Sequence, residues 1–225
     1  MAAAYNEEEN TKANIMEKIN SFFQKKRKLI LFAFLAVIIV IVVLVIGISV
    51  RDKMLESALT KFDEFDRRHN ELHSNGHDAN NEKITALLAD LENFAKSGYP
   101  AARSFSLCAD ILMEQKNYSE AEAAYIKAAK AAGKSYFAPV CYFNAAVAAE
   151  EQENIDAAIT NYTSVLECGD NFPAAARAQF SIGRLEESKN NKSAALEAYG
   201  NIIAKWPDDQ LWANLAHSRI IALED

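Results

Sequence analysis

An uninterrupted run of eighteen apolar residues, Leu29–Ile46, constrains this chain more than any other feature of its sequence. Extending the run to Val50 gives 22 residues, about 33 Å of helix, enough to span a hydrocarbon core of about 30 Å. A cleavable signal peptide has a shorter apolar core followed by small residues. Here the charged triplet Arg51-Asp52-Lys53 follows instead. We therefore predict an uncleaved transmembrane helix over residues 29–50.

The charges that flank this segment predict its orientation. Four basic residues, Lys25–Lys28, come directly before it, against two basic residues directly after it. Because positive residues stay on the cytoplasmic side, residues 1–28 should be a cytoplasmic tail and residues 51–225 should lie outside. In a bacterium this is a single-pass inner-membrane protein with a periplasmic domain. The tail is either a frayed segment or an interfacial helix with one apolar stripe, formed by Ile15, Ile19, Phe22 and Phe23.

Composition points to a helical protein. The chain has only seven glycines and four prolines in 225 residues, so long stretches contain no helix breaker. We therefore predict an all-α fold. Residues 51–225 carry 18 basic and 27 acidic side chains, a net charge of -9. Phosphate groups would repel such a domain, which excludes nucleic-acid binding as a main task.

Beyond the apolar segment, the sequence repeats with a period of 37 residues. Ala121-x3-Tyr125-x2-Ala128 aligns with Ala158-x3-Tyr162-x2-Val165 and with Ala195-x3-Tyr199-x2-Ile202. Repeats of this length with helical spacing are typical of solenoids built from stacked helical hairpins.

These residues resemble the tetratricopeptide repeat (TPR) family. Gly183, Ala195, Tyr199 and Pro207 match its small, small, aromatic and helix-ending positions, although the family's usual period is 34. We expect the three extra residues in the loops between repeats, around 132–139 and 168–173. The resemblance covers residues 102–207 and implies an α-solenoid in which small residues let paired helices approach and tyrosines wedge between hairpins. The repeat-packing residues would be Ala121, Tyr125, Ala158, Tyr162, Gly183, Ala195 and Tyr199.

The remaining segments extend this array. Residues 82–96 look like the second helix of a degenerate first repeat, and residues 82–225 form the predicted repeat domain. Gln210–Leu223 would be a capping helix, with Leu211, Leu215, Ile220 and Ile221 on one stripe. Residues 51–81 would be a stalk helix, which is also the first helix of that degenerate repeat, and a loop. The stalk has an apolar seam that packs on the first hairpin or forms a parallel dimer, through Leu55, Ala58, Phe62, Phe65, His69 and Leu72.

In TPR proteins the first helices of the hairpins line a groove that receives a peptide, so the resemblance implies a protein-binding groove here. Its residues would present two aromatic rings and several aliphatic groups beside three arginines. Such a groove suits a partner segment with apolar anchors and acidic groups. Phe143 and Phe180 have the alternative of packing between hairpins. The predicted groove residues are Arg103, Met113, Val140, Phe143, Asn144, Val147, Arg177, Phe180 and Arg184.

The sequence contains no phosphate-binding loop, nucleophile elbow or dinucleotide fingerprint, so we expect neither an enzyme nor a cofactor. His69, His73 and His77 have helical spacing but lack a metalloenzyme pattern, and we expect no metal. Glu150 and its neighbours should be solvated surface. A disulfide between Cys141 and Cys168 is left open.

A membrane anchor followed by an exported TPR array resembles the ancillary subunit of the bacterial Sec translocon and its relatives. That resemblance implies a chaperone-like or adaptor role beside a membrane complex, with exported or membrane proteins as partners. The alternative is a structural scaffold in an envelope assembly, such as a flagellar motor or division complex. In a scaffold, lateral contacts and the stalk would matter more than the groove.

Overall fold

The computed structural model describes residues 2–74, 81–94 and 97–224, apart from the side chains of 2–15, 18, 19, 30, 74 and 81. Within these ranges every regular element is a helix, which confirms the all-α prediction. The helices are α1 (Ala2–Ser74), α2 (Asn81–Phe94), α3 (Gly98–Glu114), α4 (Tyr118–Ala132), α5 (Phe137–Glu151), α6 (Ile155–Glu167), α7 (Ala175–Ser188), α8 (Lys192–Lys205) and α9 (Gln210–Glu224).

The chain divides into two units, Met1–Ser57 and Ala58–Asp225. The first unit belongs to α1, which runs without interruption through the predicted tail, transmembrane segment and stalk. Its apolar side chains from Leu31 to Val50 are exposed. By length and composition, α1 contains one candidate membrane span, Leu31–His73.

The second unit begins at Ala58, so it includes the end of α1, which the sequence assigns to the first helix of the degenerate first repeat. The reason is that the end of α1 packs on the first repeats. Phe62 is buried in a cluster with Leu91 of α2 and Leu107 of α3, and Arg68 Nη1 lies 2.8 Å from Asp90 Oδ2. Two further seam residues, Phe65 and Leu72, pack against the same cluster. The sequence left two interpretations of the seam, packing on the first hairpin or forming a parallel dimer. Within this unit the seam packs on the first repeats of the same chain.

Three hairpins follow, α3–α4, α5–α6 and α7–α8, and each turns in the same way. Lys116, Glu153 and Asn190 all have positive φ, between 58° and 60°, and lie 37 residues apart. An asparagine follows each of them as the N-cap of the next helix. Asn154 Oδ1 accepts from the Ala157 amide at 3.2 Å, which caps α6. The period of 37 is therefore a structural repeat of the turn as well as of the core.

Close packing within the hairpins depends on small residues near the tyrosines. Ala121, Ala158 and Ala195, one turn before the tyrosines on the second helices, are fully buried, and the Tyr199 side chain is also fully buried. A Cβ atom built on Gly183 would lie 2.6 Å from Tyr199 Cε1, closer than real Cβ atoms approach. Gly183 thus leaves the space that the Tyr199 ring occupies. Tyr125 and Tyr162 are likewise buried in the core.

The inter-hairpin loops lie at 133–136 and 168–174, and they overlap the two regions, 132–139 and 168–173, where the sequence placed the extra residues. All three cysteines are free, with Cys108 and Cys141 buried and Cys168 exposed. Burial raises the pKa of Cys108 and of Cys141 to about 12, so both thiols stay protonated at neutral pH.

Helix α9 differs from the predicted cap. Leu211, Leu215 and Ile221 of the predicted inward stripe are exposed. The residues that contact the array are instead Ala216 and, partly buried, Trp212, Ile220 and Leu223. The prediction was wrong about the buried face because a stripe of leucine and isoleucine looks the same in sequence whether it is covered or not.

Candidate protein-binding face of the repeat array

The predicted groove residues lie on the first helices of the three hairpins, α3, α5 and α7, which we call the first-helix face. The repeat spacing puts Arg103, Val140 and Arg177 at the same position of successive hairpins. Side chains at this position lie at the junction with a neighbouring unit: Arg177 reaches Phe143 of the preceding hairpin, and Arg103 reaches Phe62 of α1 and Phe137 of α5. Their surroundings therefore show which predicted contacts are accessible.

Two of the arginines lie over aromatic rings. Arg177 Cζ is 4.9 Å from the centroid of Phe143. Arg103 Cζ is 4.7 Å from the centroid of Phe62 and 6.0 Å from that of Phe137. Such cation–π contacts hold a guanidinium in place while its edge can still donate to an acidic group. The Arg177 side chain is exposed, so its N–H groups are accessible to a partner.

Phe143 packs in the core of the second hairpin. Only 9% of its surface is accessible, and its ring packs edge-to-face on Tyr162 at 5.2 Å. Phe180 is partly buried between Tyr199, at 5.2 Å, and Trp212, at 5.4 Å. Both rings therefore take the packing role that the sequence analysis gave as their alternative.

Arg184 is committed to an internal ion pair. Its Nη2 donates to Glu150 Oε2 of the preceding hairpin. The half-buried residues Met113, Val140, Asn144 and Val147 complete the first-helix face between the arginines. The side chains that this face offers to a partner are thus Arg103 and Arg177, several aliphatic groups and the amide of Asn144.

A carboxylate ladder runs beneath this face, and sequence reasoning missed it. In each hairpin the tyrosine of the second helix donates its hydroxyl to a carboxylate of the first helix. The distances are 2.5 Å from Tyr125 to Asp110 Oδ1, 2.8 Å from Tyr162 to Glu150 Oε1, and 3.0 Å from Tyr199 to Glu187 Oε2. Glu150, which the sequence analysis assigned to solvated surface, is one of these acceptors. The 37-residue spacing of Glu150 and Glu187 was the sequence signal for it.

Arginines of the following helix complete the ladder in the second and third hairpins. Arg184 pairs with Glu150, and Arg219 of α9 pairs with Glu187, with Arg219 Nε 3.2 Å from Oε2. Burial raises the pKa of Glu187, but hydrogen bonds from Arg219 and Tyr199 outweigh it and hold the pKa below its ordinary value. Burial, together with Glu187, raises the pKa of Tyr199 to about 12. Arg219 had no signal at the 37-residue period because it stands 35 residues after Arg184.

The histidines of the α1 seam contact one carboxylate. His69 Nε2 and His73 Nδ1 lie 3.4 and 3.6 Å from Glu114 Oε2, and His77 lies outside the described residues. Among the residues that the structure describes, no group of three or more histidine, cysteine or acidic side chains is placed to hold a metal ion.

Comparison with known proteins supports the repeat assignment. Residues 143–210 match the family model for the tetratricopeptide repeat. A TPR repeat-containing protein of Treponema pallidum (strain Nichols) is 39% identical over 145 residues, which cover 63% of this chain and 60% of that protein. The match therefore spans less than two thirds of the relative. TPR repeat proteins are generally non-catalytic interaction modules.

Two solved structures share part of the arrangement at low sequence identity. The MamA RS-1 ArsTM double mutant superposes with a TM-score of 0.47 and 15% identity, covering 73% of this chain and 94% of that one. YrrB, described as a TPR protein with an unusual peptide-binding site, superposes with a TM-score of 0.29 and 18% identity, covering 65% and 87%. Both superpositions are partial, and they show only that parts of these chains are similar to this one.

Proposed function

We propose that this chain is a membrane-anchored adaptor that binds a protein partner on its first-helix face. The observation that carries the proposal is the pair of guanidinium groups, Arg103 and Arg177, stacked on aromatic rings at the same position of the first and third hairpins. Between them lie the half-buried side chains of Val140, Asn144 and Val147. This combination fits a segment that has an apolar anchor flanked by acidic groups.

The proposed location is the periplasmic side of a bacterial inner membrane. The apolar length of α1 and the basic cluster Lys25–Lys28 before it support an anchor with the array on the exported side. The relative in Treponema pallidum is bacterial, which supports a bacterial envelope. In that place the partner would be an exported protein or a subunit of a membrane complex such as the protein-export translocon.

The test is co-purification of the intact protein from membranes in mild detergent, with bound proteins identified by mass spectrometry. Phe143 and Arg184 are unsuitable targets because their substitution would disturb the core or the Glu150 ion pair. The informative variant is Arg103→Ala/Arg177→Ala, which removes two cations from the face. The control is Lys130→Ala/Lys192→Ala, which removes the same charge from exposed positions of the second helices.

We expect a partner that the native chain and the control retain equally and that the arginine variant loses at least tenfold, with the loss growing as salt is lowered. Equal recovery of the same proteins by all three chains would contradict the proposal, because the first-helix face would then not be the binding surface.

A structural scaffold is the second candidate, and one observation favours it. Leu211, Leu215 and Ile221 are exposed on α9, at the last described helix of the array. A scaffold needs lateral contacts of this kind rather than a groove. If the arginine variant retains a large envelope assembly while substitutions on α9 release it, the scaffold role replaces the adaptor role.

A further inference from the structure

The first hairpin differs in charge from the other two at the end where successive hairpins are joined. Residues 127–136, the end of α4 and the loop after it, contain three lysines and no acidic residue. One period later, residues 164–173 contain two acidic residues and no basic one. Two periods later, residues 201–210 contain two acidic residues and one lysine. The repeat therefore keeps its core from hairpin to hairpin while the charge at this end changes sign.

The three lysines of the first hairpin are Lys127, Lys130 and Lys134, and all of them are exposed. Among the residues that the structure describes, the ion pairs involve none of the three. The lysine at this end of the third hairpin, Lys205, instead lies 3.3 Å from Asp170 Oδ1. The positive charge of the first hairpin is thus accessible to an anionic partner outside the chain.

Two tyrosines lie at the same end of the first hairpin. Tyr136 is 77% exposed, alone among the aromatic residues that the structure describes in the second unit. Tyr99, at the start of α3, packs edge-to-face on Phe137 at 5.8 Å, which brings it to the loop that contains Tyr136. Tyrosine is enriched at membrane–water interfaces because its ring is apolar and its hydroxyl is polar. We call this surface the basic edge, formed by Tyr99, Lys127, Lys130, Lys134 and Tyr136.

The basic edge is at the end of the array where α1 enters the second unit. Phe62 lies under Arg103, near the start of α3, and His69 Nε2 lies 3.4 Å from Glu114 Oε2, at the end of α3. The part of α1 in this unit therefore runs in the same direction as α3. Its first residue, Ala58, lies on the side of the basic edge.

We propose that the basic edge binds the anionic lipid headgroups of the membrane in which the chain is anchored. The inference rests on the membrane anchor of the proposed function and adds a second contact with the lipid. Eight residues lead from Val50, where the apolar segment ends, to Ala58, about 12 Å of helix, so the chain keeps this end of the array close to the lipid surface.

The chemistry of the edge suits such a surface. Lysines are attracted to an anionic membrane within about one Debye length, about 8 Å at physiological salt. The exposed ring of Tyr136 would lie at the level of the headgroups. The equivalent ends of the second and third hairpins carry net negative charge, so the same surface would repel them. The contact would therefore involve the first hairpin alone.

The experiment uses the full-length chain reconstituted in lipid vesicles, with a fluorophore on one introduced cysteine and a quenching spin label on the lipid headgroups. Ser97→Cys reports on the basic edge, because Ser97 is exposed and lies two residues before Tyr99. Ser119→Cys, exposed at the opposite end of α4, is the control site. Both are made together with Cys168→Ser, which removes the exposed native thiol.

In vesicles with about 30% phosphatidylglycerol, we expect quenching at Ser97→Cys to exceed that at Ser119→Cys at least about threefold. This excess should disappear in vesicles of phosphatidylcholine alone, which have no net headgroup charge. It should also disappear in about 0.5 M salt, where the Debye length is only about 4 Å.

Charge reversal tests the lysines directly. Lys130→Glu/Lys134→Glu should remove the excess in anionic vesicles, because the edge would then repel the headgroups. Lys116→Glu/Lys192→Glu makes the same change of charge near the turns inside the hairpins and should leave the excess intact. All four lysines are exposed, so the substitutions should preserve the fold, and tryptophan fluorescence checks that they do.

Two results would overturn the proposal. Equal quenching at the two sites in anionic vesicles would show that the edge does not contact lipid, as expected if it binds an acidic protein instead. An excess that neither the lipid composition nor the lysine substitutions change would show that the anchor alone keeps the edge near the membrane.

These results are separate from the tests of the proposed function. Flotation of the chain with the vesicles reports on the anchor by itself, so a chain that floats without excess quenching contradicts only the lipid contact. The vesicles contain no other protein, so the outcome does not depend on whether the first-helix face binds a partner.

Discussion

The first hairpin and the two later hairpins use the same tyrosine in different electrostatic surroundings. In all three, the tyrosine hydroxyl donates to a carboxylate of the first helix. In the second and third hairpins an arginine from the next first helix also donates to that carboxylate. The residue equivalent to Arg184 one repeat earlier is Val147, so Asp110 has no arginine at that position.

This difference is reflected in the direction of the pKa shifts. Burial raises the pKa of Asp110, and this exceeds the lowering by the Tyr125 hydrogen bond and by His69 and Arg103. For Glu187 the hydrogen bonds from Arg219 and Tyr199 exceed the effect of burial. A tyrosine hydroxyl thus donates to a carboxylate in every hairpin, whereas the direction of the pKa shift differs: burial dominates for Asp110, and the hydrogen bonds from Arg219 and Tyr199 dominate for Glu187.

The largest expected effect concerns the small residue opposite the tyrosine. Ala109 and Ala146 occupy this position in the first and second hairpins, and Gly183 occupies it in the third. Helix propensity alone predicts that Gly183→Ala stabilises the protein by about 1 kcal/mol. We expect instead a loss of about 2 kcal/mol in the free energy of unfolding, because the new Cβ would overlap the buried Tyr199 ring. Urea denaturation followed by tryptophan fluorescence measures it.

The matched control is Gly200→Ala on α8. No atom lies within 4 Å of a Cβ at Gly200, so this substitution should stabilise the protein by up to about 1 kcal/mol. If Gly183→Ala also stabilised the protein, the third hairpin would have as much space for a Cβ opposite its tyrosine as the other two. Gly183 would then have no packing role.

The next effect tests the arginine of the ladder. Glu187→Gln keeps an oxygen acceptor for Tyr199 but removes the charge that Arg219 contacts, so we expect a loss of about 1 kcal/mol, typical of a partly exposed charge-assisted hydrogen bond. Asp110→Asn keeps the acceptor for Tyr125 and should cost less than about 0.5 kcal/mol, because the native carboxylate is disfavoured by burial. Equal losses in the two variants would mean that Arg219 makes no distinct contribution.

Sequence reasoning identified the elements whose residue types are typical of a repeat core, and it missed contacts made by residue types that are also common on free surfaces. The helices, the period and the tyrosine–alanine core follow from residues spaced by 37, such as Tyr125 and Tyr162. The ladder was missed because a glutamate such as Glu150 has the same appearance on a solvated surface as in a buried contact. The buried face of α9 was predicted wrongly because an exposed leucine such as Leu211 and a buried one look the same in sequence.

The accessible part of the first-helix face was only partly predictable for a related reason. The repeat register identifies the position of Phe143, but the depth of that position depends on Arg177 of the next hairpin, which covers the ring. Contacts between hairpins involve residues far apart in sequence, and the period alone does not specify which of them meet.

The smallest effect is a pH dependence of opposite sign at the two ends of the ladder. A carboxyl whose folded-state pKa is lowered contributes stability above its unfolded pKa and loses it as pH falls through the folded pKa. The free energy of unfolding of the native chain should therefore exceed that of Glu187→Gln by the full amount at neutral pH, and this difference should decline below about pH 4.3, the ordinary glutamate value.

A carboxyl whose folded-state pKa is raised costs stability above that pKa, and the cost disappears as pH falls to the unfolded value, about 3.9 for aspartate. The native chain should therefore gain stability relative to Asp110→Asn as pH falls toward that value. Urea denaturation of the three chains between about pH 2.5 and pH 7 measures both differences, because the Glu187 effect lies below about pH 4.3. Slopes of the same sign would show that the two carboxylates do not differ in the direction of their pKa shifts.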